Sequence, residues 1–326
     1  MPDMQRRRLL ASMGLSGAAL MLRRPALAAE YYPDKNISFV IPDGPGGGFD
    51  SYVRAIVPAM EKSLPHKMTV VPTNVPGAGG ARAASEIFRA RPDGAMIGIF
   101  NVPGIYIQQE RGNAGFDLEK LTWIGRMGVD HYGLAVGQNS PIKSIDDLKA
   151  LAKQRPVKFT STGPAGTAYS ATLIAAHLLG IRAQLITGYK GSRDYVMGAV
   201  RGDGDAVITA IPTLRRMAAG KTLRILATFE EHGSVPGAAD ATALGQPELA
   251  SITLQRLVAG PPGLPADIKG ILAGAITKAL ADPEVESWAK KADAGLAPET
   301  PEQAAATLKD QITFYNKWKP YLKAGH

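Results

Sequence analysis

Three short glycine-rich runs stand out as places where the main chain itself could bind an anion. The first is Pro45, Gly46, Gly47, Gly48, Phe49 and Asp50. The second is Asn74, Val75, Pro76, Gly77, Ala78, Gly79 and Gly80, and the third is Thr162, Gly163, Pro164, Ala165, Gly166 and Thr167. Glycine lets a backbone approach a ligand closely. Where a helix follows, the unpaired N–H groups of its first turn and its dipole favour negative charge. Such recognition needs few charged side chains, and Asp50 is the only one in the three runs. One such run alone reads equally well as a tight turn between strand and helix. Three in register point to a binding cleft.

Other chemistries find no support. A dinucleotide fingerprint built on Gly44 and Gly46 needs a third glycine where Phe49 stands. Gly220, Lys221 and Thr222 imitate the end of a phosphate-binding loop, but Arg215 occupies the place of its leading glycine. No Gly-x-Ser-x-Gly elbow occurs. The absence of cysteine excludes thiol catalysis, disulfides, Cys-based zinc sites and a lipoprotein anchor. His66, His131, His177, His232 and His326 lack metal-ligand spacing. His177 reads as a packing residue in an apolar helix, and His131 as a residue near a crossover between lobes. Asp50 has no identifiable acid–base partner, so its expected role is to fix its loop or cap the following helix. Lys190, in a glycine turn, either pairs with a carboxylate or is exposed. No catalytic residue, metal or cofactor is expected, and the chain does not read as an enzyme.

The elements that must position these loops follow from the pattern around them. Strands are expected at 37–41, 68–71 and 96–100, then at 134–136, 157–161, 184–187, 205–208, 223–228 and 255–259. Helices are expected at 52–64, 80–90, 144–153 (with Ser144 as cap and Asp146 and Asp147 as first-turn charges) and 169–179. Further helices run to about residue 201 and fill the carboxyl terminus. Strand, glycine loop and helix alternate, as in a parallel α/β sheet. Each loop then falls at a carboxyl edge, where ligands bind such sheets. A chain of 326 residues favours two lobes over one domain.

The amino terminus reads as an address. Arg6, Arg7 and Arg8 precede an apolar run over 9–22, and Ala26, Leu27 and Ala28 supply a small-x-small cleavage pattern. The run is short against the roughly 20 residues that span a bilayer. Residues 1–28 are therefore expected to be an export signal, twin-arginine-like, cleaved near Ala28 to release the protein into the periplasm. Without them, the net charge of +8 falls to +4, from 32 basic and 28 acidic residues. The remaining cations are scattered, so nucleic acid is not an expected partner.

In order and spacing, the chain resembles the Bug-type extracytoplasmic solute receptors of tripartite tricarboxylate transporters. Tyr32 and Pro33, the first two glycine runs, Pro92-Asp93-Gly94 and Ser161-Thr162-Gly163 carry the resemblance. Tyr189-Lys190-Gly191, Gly202-Asp203-Gly204-Asp205 and Gly260-Pro261-Pro262-Gly263-Leu264-Pro265 complete it. The resemblance implies an α/β, two-lobed Venus-flytrap (periplasmic-binding-protein) fold, each lobe a mostly parallel sheet flanked by helices. Lobe 1 is expected to hold residues 29–130 and 256–326, and lobe 2 residues 131–255. It implies a monomer that captures a small carboxylate for membrane transporter subunits. A sensor feeding a two-component system and an exported enzyme acting on an organic acid are the alternatives. The first two runs would hold the ligand carboxylate through backbone amides and waters. The second lobe would add residues 162–168 (Ala168 included), Tyr189, Lys190, Gly191, and Asp205 for a ligand amino group. Asp43, Thr73, Phe49 and Tyr169 depart from the family pattern. Phe49 is expected to narrow or cap the pocket, and together with Tyr169 to suit an aromatic or elongated apolar ligand body.

Overall fold

The computed structural model describes residues 36–65, 68–112, 114–164, 166–189 and 191–324. The expected export signal over residues 1–28, Lys190, His66 and His326 lie outside the described residues. The chain begins with β1 (Ile37–Ile41), α1 (Gly48–Glu61), β2 (Val70–Asn74), α2 (Ala81–Arg89), β3 (Met96–Val102), α3 (Gly104–Glu110) and β4 (Thr122–Gly137). It continues with α4 (Ile145–Gln154), β5 (Val157–Thr160), α5 (Thr167–Leu178), β6 (Ala183–Ile186), α6 (Ser192–Arg201), β7 (Ala206–Ala210), α7 (Ile211–Ala219) and β8 (Leu223–Thr228). β9 (Thr253–Gly260), α8 (Ala266–Leu280), α9 (Pro283–Ala292), β10 (Leu296–Glu299) and α10 (Pro301–Ala324) complete it.

Local chemistry explains most of these elements. β1 is a β-branched and aromatic run whose residues are nearly all buried, as suits a strand covered on both faces. α1 buries Tyr52, Val53, Ile56, Val57 and Met60 along one stripe and packs on α8. α4 opens with Ser144 as its cap, as the sequence predicts, and Asp147 completes a capping box by accepting the Ser144 N–H.

All strands form one sheet in the order β2-β1-β3-β9-β4-β7-β5-β6, with β8 and β10 also paired to β4. β1 is parallel to β2 and β3, and β5 is parallel to β6 and β7. Pairings of β4 and β9 are antiparallel. The expected parallel sheets are thus the outer strands of each half, and the crossing strands add an antiparallel seam.

β4 is that seam. Its 16 residues reach about 50 Å. Its first part pairs with β9 and β10, its second with β7 and β8. Glycine makes the double pairing possible. A Cβ on Gly133 would lie 2.8 Å from the Ala227 carbonyl, and one on Gly128 would collide with the Gly295 carbonyl. The strand directions follow from this seam. The carboxyl ends of β1–β3 and of β5–β7 point towards each other across it. An apolar core unites the halves, from Ile87 and Phe100 through Trp123 and Tyr132 to Phe159, Ile174, Tyr315 and Trp318. Among the described residues no helix is long and apolar enough to cross a membrane.

Replacing Gly128 by Ala is expected to cost about 2 kcal/mol of stability, because β10 or the Tyr52 ring must move. A urea titration checks this. An unchanged midpoint would mean that β10 does not lie against β4 as described.

Candidate ligand-binding cleft

The first glycine loop is held by a buried carboxylate. Asp50, 4% exposed, accepts the Gly46 N–H at 2.9 Å, the Arg54 Nε–H at 2.9 Å and the Asn74 side-chain amide at 3.0 Å. Asn74 also donates to the Asp43 carbonyl at 2.9 Å and accepts from Arg54 at 3.0 Å. The amide of Asn74 therefore stitches the two loops together. The hydrogen bond from Arg54 holds the Asp50 carboxyl down at about 2. Asp50 fixes its loop, as its sequence position suggests, and no direct ligand contact need be assigned to it.

With the loop fixed, α1 starts at Gly48 with no side-chain cap on Gly47. The N–H groups of Gly48, Phe49 and Asp50 have no acceptor among the described residues. Pro45 is an exposed residue of the same turn. The second loop winds through Gly77, Ala78, Gly79 and Gly80 with φ of 136°, 48°, 59° and 92°. These left-handed values explain the glycine run. Gly79 also lies so close to α3 that a Cβ would sit 2.7 Å from the Gln108 amide. The N–H groups of Ala78 and Gly79 are likewise without an acceptor among the described residues.

The third loop comes from the other half. Gly166 closes a turn onto the Gly163 carbonyl at 2.8 Å and precedes α5 without a side-chain cap. The N–H groups of Thr167 and Ala168 are left open in the same way. Asn101, near the end of β3, donates to Thr167 Oγ1 at 3.0 Å, so the third loop touches the first half directly. Around this contact Asn101 Oδ1, Thr160 Oγ1, Ser161 Oγ and Thr162 Oγ1 are buried with no hydrogen-bond partner among the described residues. Buried polar atoms are costly unless bonded, and these line the facing ends of β3 and β5.

Other expected site residues are placed differently. Gly191 starts α6 uncapped at the carboxyl end of β6, but the Tyr189 hydroxyl donates to Asp203 at 2.8 Å and its ring lies against Gly198 of α6. Asp205 is not at the cleft. It precedes β7 and is therefore at the amino edge, where Arg155 grips it at 2.7 Å through two nitrogens and the Lys158 N–H at 2.8 Å. Its carboxylate serves the fold, which corrects its expected role towards a ligand amino group. Phe49 does not cap the loop. It is buried with its ring 5.3 Å from the Arg256 guanidinium. Tyr169 is buried beside Tyr106, Pro164, Tyr315 and Leu322, so the two aromatic rings do not share surroundings. His177 packs against Trp318 and Tyr321, as expected. His131 turns its Nδ1 to the Phe229 carbonyl at 3.1 Å.

No sequence motif points to the charged group beneath the first loop. Arg256 of β9, 6% exposed, donates to Asp130 of β4 at 2.6 Å. It stacks on Tyr52 at 4.3 Å. Its one sequence signal is a cation next to the apolar run Leu257, Val258 and Ala259 of β9. Asp43 stands exposed on the same loop. Desolvation raises its carboxyl above the usual value, against the pull of Arg256.

Comparison with known proteins gives this arrangement a context. The sequence model for the "Tripartite tricarboxylate transporter family receptor" (TctC) matches residues 53–324. BugT of Bordetella pertussis is 28% identical, over 94% of each chain. MatC of Rhodopseudomonas palustris, solved with bound malate, superposes with a TM-score of 0.75 over 89% of this chain and 100% of its own, at 19% identity. A second R. palustris protein, solved with adipate, gives 0.74 over 90% and 98%, at 22% identity. Likeness at that level shows the fold, which is the two-lobed one of periplasmic solute-binding proteins.

Because Asp50 is held low, its hold on the loop is present above about pH 4 and is lost as pH falls towards 2. Asp50→Asn is expected to melt a few degrees below the natural chain at pH 7, with the gap closing as pH falls from 4 to 2. Thermal scans across that range check this, and a gap independent of pH would contradict it.

Proposed function

Since the chain belongs to the tripartite tricarboxylate transporter receptor (TctC) family, we propose that it captures a small organic acid in the periplasm for membrane subunits of such a transporter. The family and fold are those of solute-binding receptors, which are not enzymes. The observation that carries the ligand class is the set of uncapped helix starts at Gly48, Thr167 and Ser192. Two of them, with the 3-10 turn at Ala78–Gly80, hold main-chain N–H groups without acceptors among the described residues. Donors of that kind favour a carboxylate, and the malate- and adipate-bound neighbours take ligands of that chemistry.

The ligand sits between the loops of residues 45–50, 74–80 and 162–168, with Gly191 at the edge. In this reading lobe 1 comprises residues 29–130 and 256–326, and lobe 2 residues 131–255. The change of β4 partners near His131 and the start of β9 at Thr253 support that division. Ligand bridging the facing loops favours the closed arrangement of the lobes, since only that arrangement makes both sets of contacts. Residues 1–28 direct export and are removed near Ala28.

A melting-temperature panel tests the reading, with malate, adipate, citrate and benzoate set against glucose and AMP. An acid present at a hundred times its Kd adds about 2.7 kcal/mol, on the order of 5 °C for a chain of this size. Stabilisation by one class of acid is the expected result. Stabilisation by glucose or AMP alone, or conversion of a bound acid to product, would overturn the proposal.

A further inference from the structure

The amino end of α1 has more than backbone dipoles beneath it. Arg256 is 6% exposed, and its Nη2 lies 3.9 Å from where a Cβ on Gly48 would stand. Asp130, 7% exposed, engages that guanidinium through a single hydrogen bond at 2.6 Å. The Arg256 Nε and Nη1 are buried without a hydrogen-bond partner among the described residues. The flat guanidinium is clamped between the first turn of α1 and the crossing strands by Tyr52 at 4.3 Å and Phe49 at 5.3 Å.

A fold gains little by burying an ion pair that hydrophobic residues of similar volume could replace. Burying a guanidinium with donors unmatched is harder still to explain by stability alone. Its position offers another role. The three open N–H groups of Gly48, Phe49 and Asp50 lie on the same first turn, and a cation at that place adds to the helix dipole rather than opposing it. Screening by salt is weak for a charge this deeply buried.

We propose that Arg256 is the charge-bearing, specificity-determining residue of the first glycine loop, and that Asp130 and Asp43 set how much of its charge a bound carboxylate feels. It acts through the loop as a positioning residue, and the ligand's carboxylate rests on the open N–H groups above it. The inference rests on the receptor reading and sharpens it. The loop selects a negatively charged group over a neutral one of the same shape, such as an amide. Asp43, exposed on the same loop and within the field of Arg256, subtracts from that preference.

The signs make the proposal testable. Titration calorimetry of the full chain with malate and adipate, and with adipamide as the neutral counterpart, gives the reference affinities. Arg256→Gln is expected to weaken binding of the two acids about tenfold, or 1.4 kcal/mol, with adipamide unchanged. Asp130→Asn and the exposed Asp43→Asn are expected to tighten binding of the acids several-fold. A pair with a purely structural role would weaken or leave unchanged every variant, and that result overturns the inference. If Arg256→Gln does not fold, the direction of change in Asp43→Asn decides, because that surface substitution leaves the buried pair intact. If the natural chain binds neither acid, the receptor reading fails and the inference falls with it. Binding by the natural chain with flat or reversed signs in the variants overturns the inference alone.

Discussion

A carboxylate buried at the start of a helix does much to order this molecule's candidate site. Asp50 must satisfy a negative charge almost out of reach of solvent, and it does so with the Gly46 N–H, the Arg54 side chain and the Asn74 amide. Those bonds turn a run of glycines, which would otherwise sample many conformations, into a single shape. They also leave the next N–H groups of α1 without an acceptor among the described residues. The unmatched donors are thus a consequence of how the loop is held. Asn74 extends the constraint to the second loop, so two turns from separate strands act as one rigid surface.

The second constraint is the length of β4. A strand shared between two sets of neighbours aligns the outer strands of each half so that their carboxyl ends oppose. It runs past β10 and β8 only because Gly128 and Gly133 carry no side chain. The same strand brings Asp130 to Arg256, and through it a charge to the underside of the first loop. Fold and site therefore share their supports. The residues that join the halves also shape the electrostatics of the cleft.

How much of this was legible beforehand depended on the range of the interactions. The strand–loop–helix rhythm and the three glycine loops could be read because turn chemistry and periodicity are local. The same holds for the fixing role of Asp50, whose partners Gly46 and Arg54 lie four residues away on either side. Only residues 134–136 of β4 were expected as strand. Its glycines, Arg126, Asp130 and His131 interrupt the apolar pattern, and pairing on both flanks outweighs that interruption. The sequence of α3 carries little helical signal, being seven residues with a glycine start and a polar end. Asp205 was assigned to the ligand by resemblance, although the order of elements places the residue before a parallel strand at the edge away from the cleft. Arg256 shows in the sequence only as a cation within a strand, and its partner Asp130 stands 126 positions away.

The central claim is that main-chain N–H groups at uncapped helix starts receive the ligand's carboxylate. Amide NMR of the isotope-labelled protein, titrated with malate or adipate, tests it most directly. The account predicts that the largest shifts fall on Gly48, Phe49, Ala78, Gly79, Thr167 and Ala168, with Asp205 and Lys158 at the opposite edge hardly moved. Saturable binding of either acid that leaves those six amides in place would contradict it.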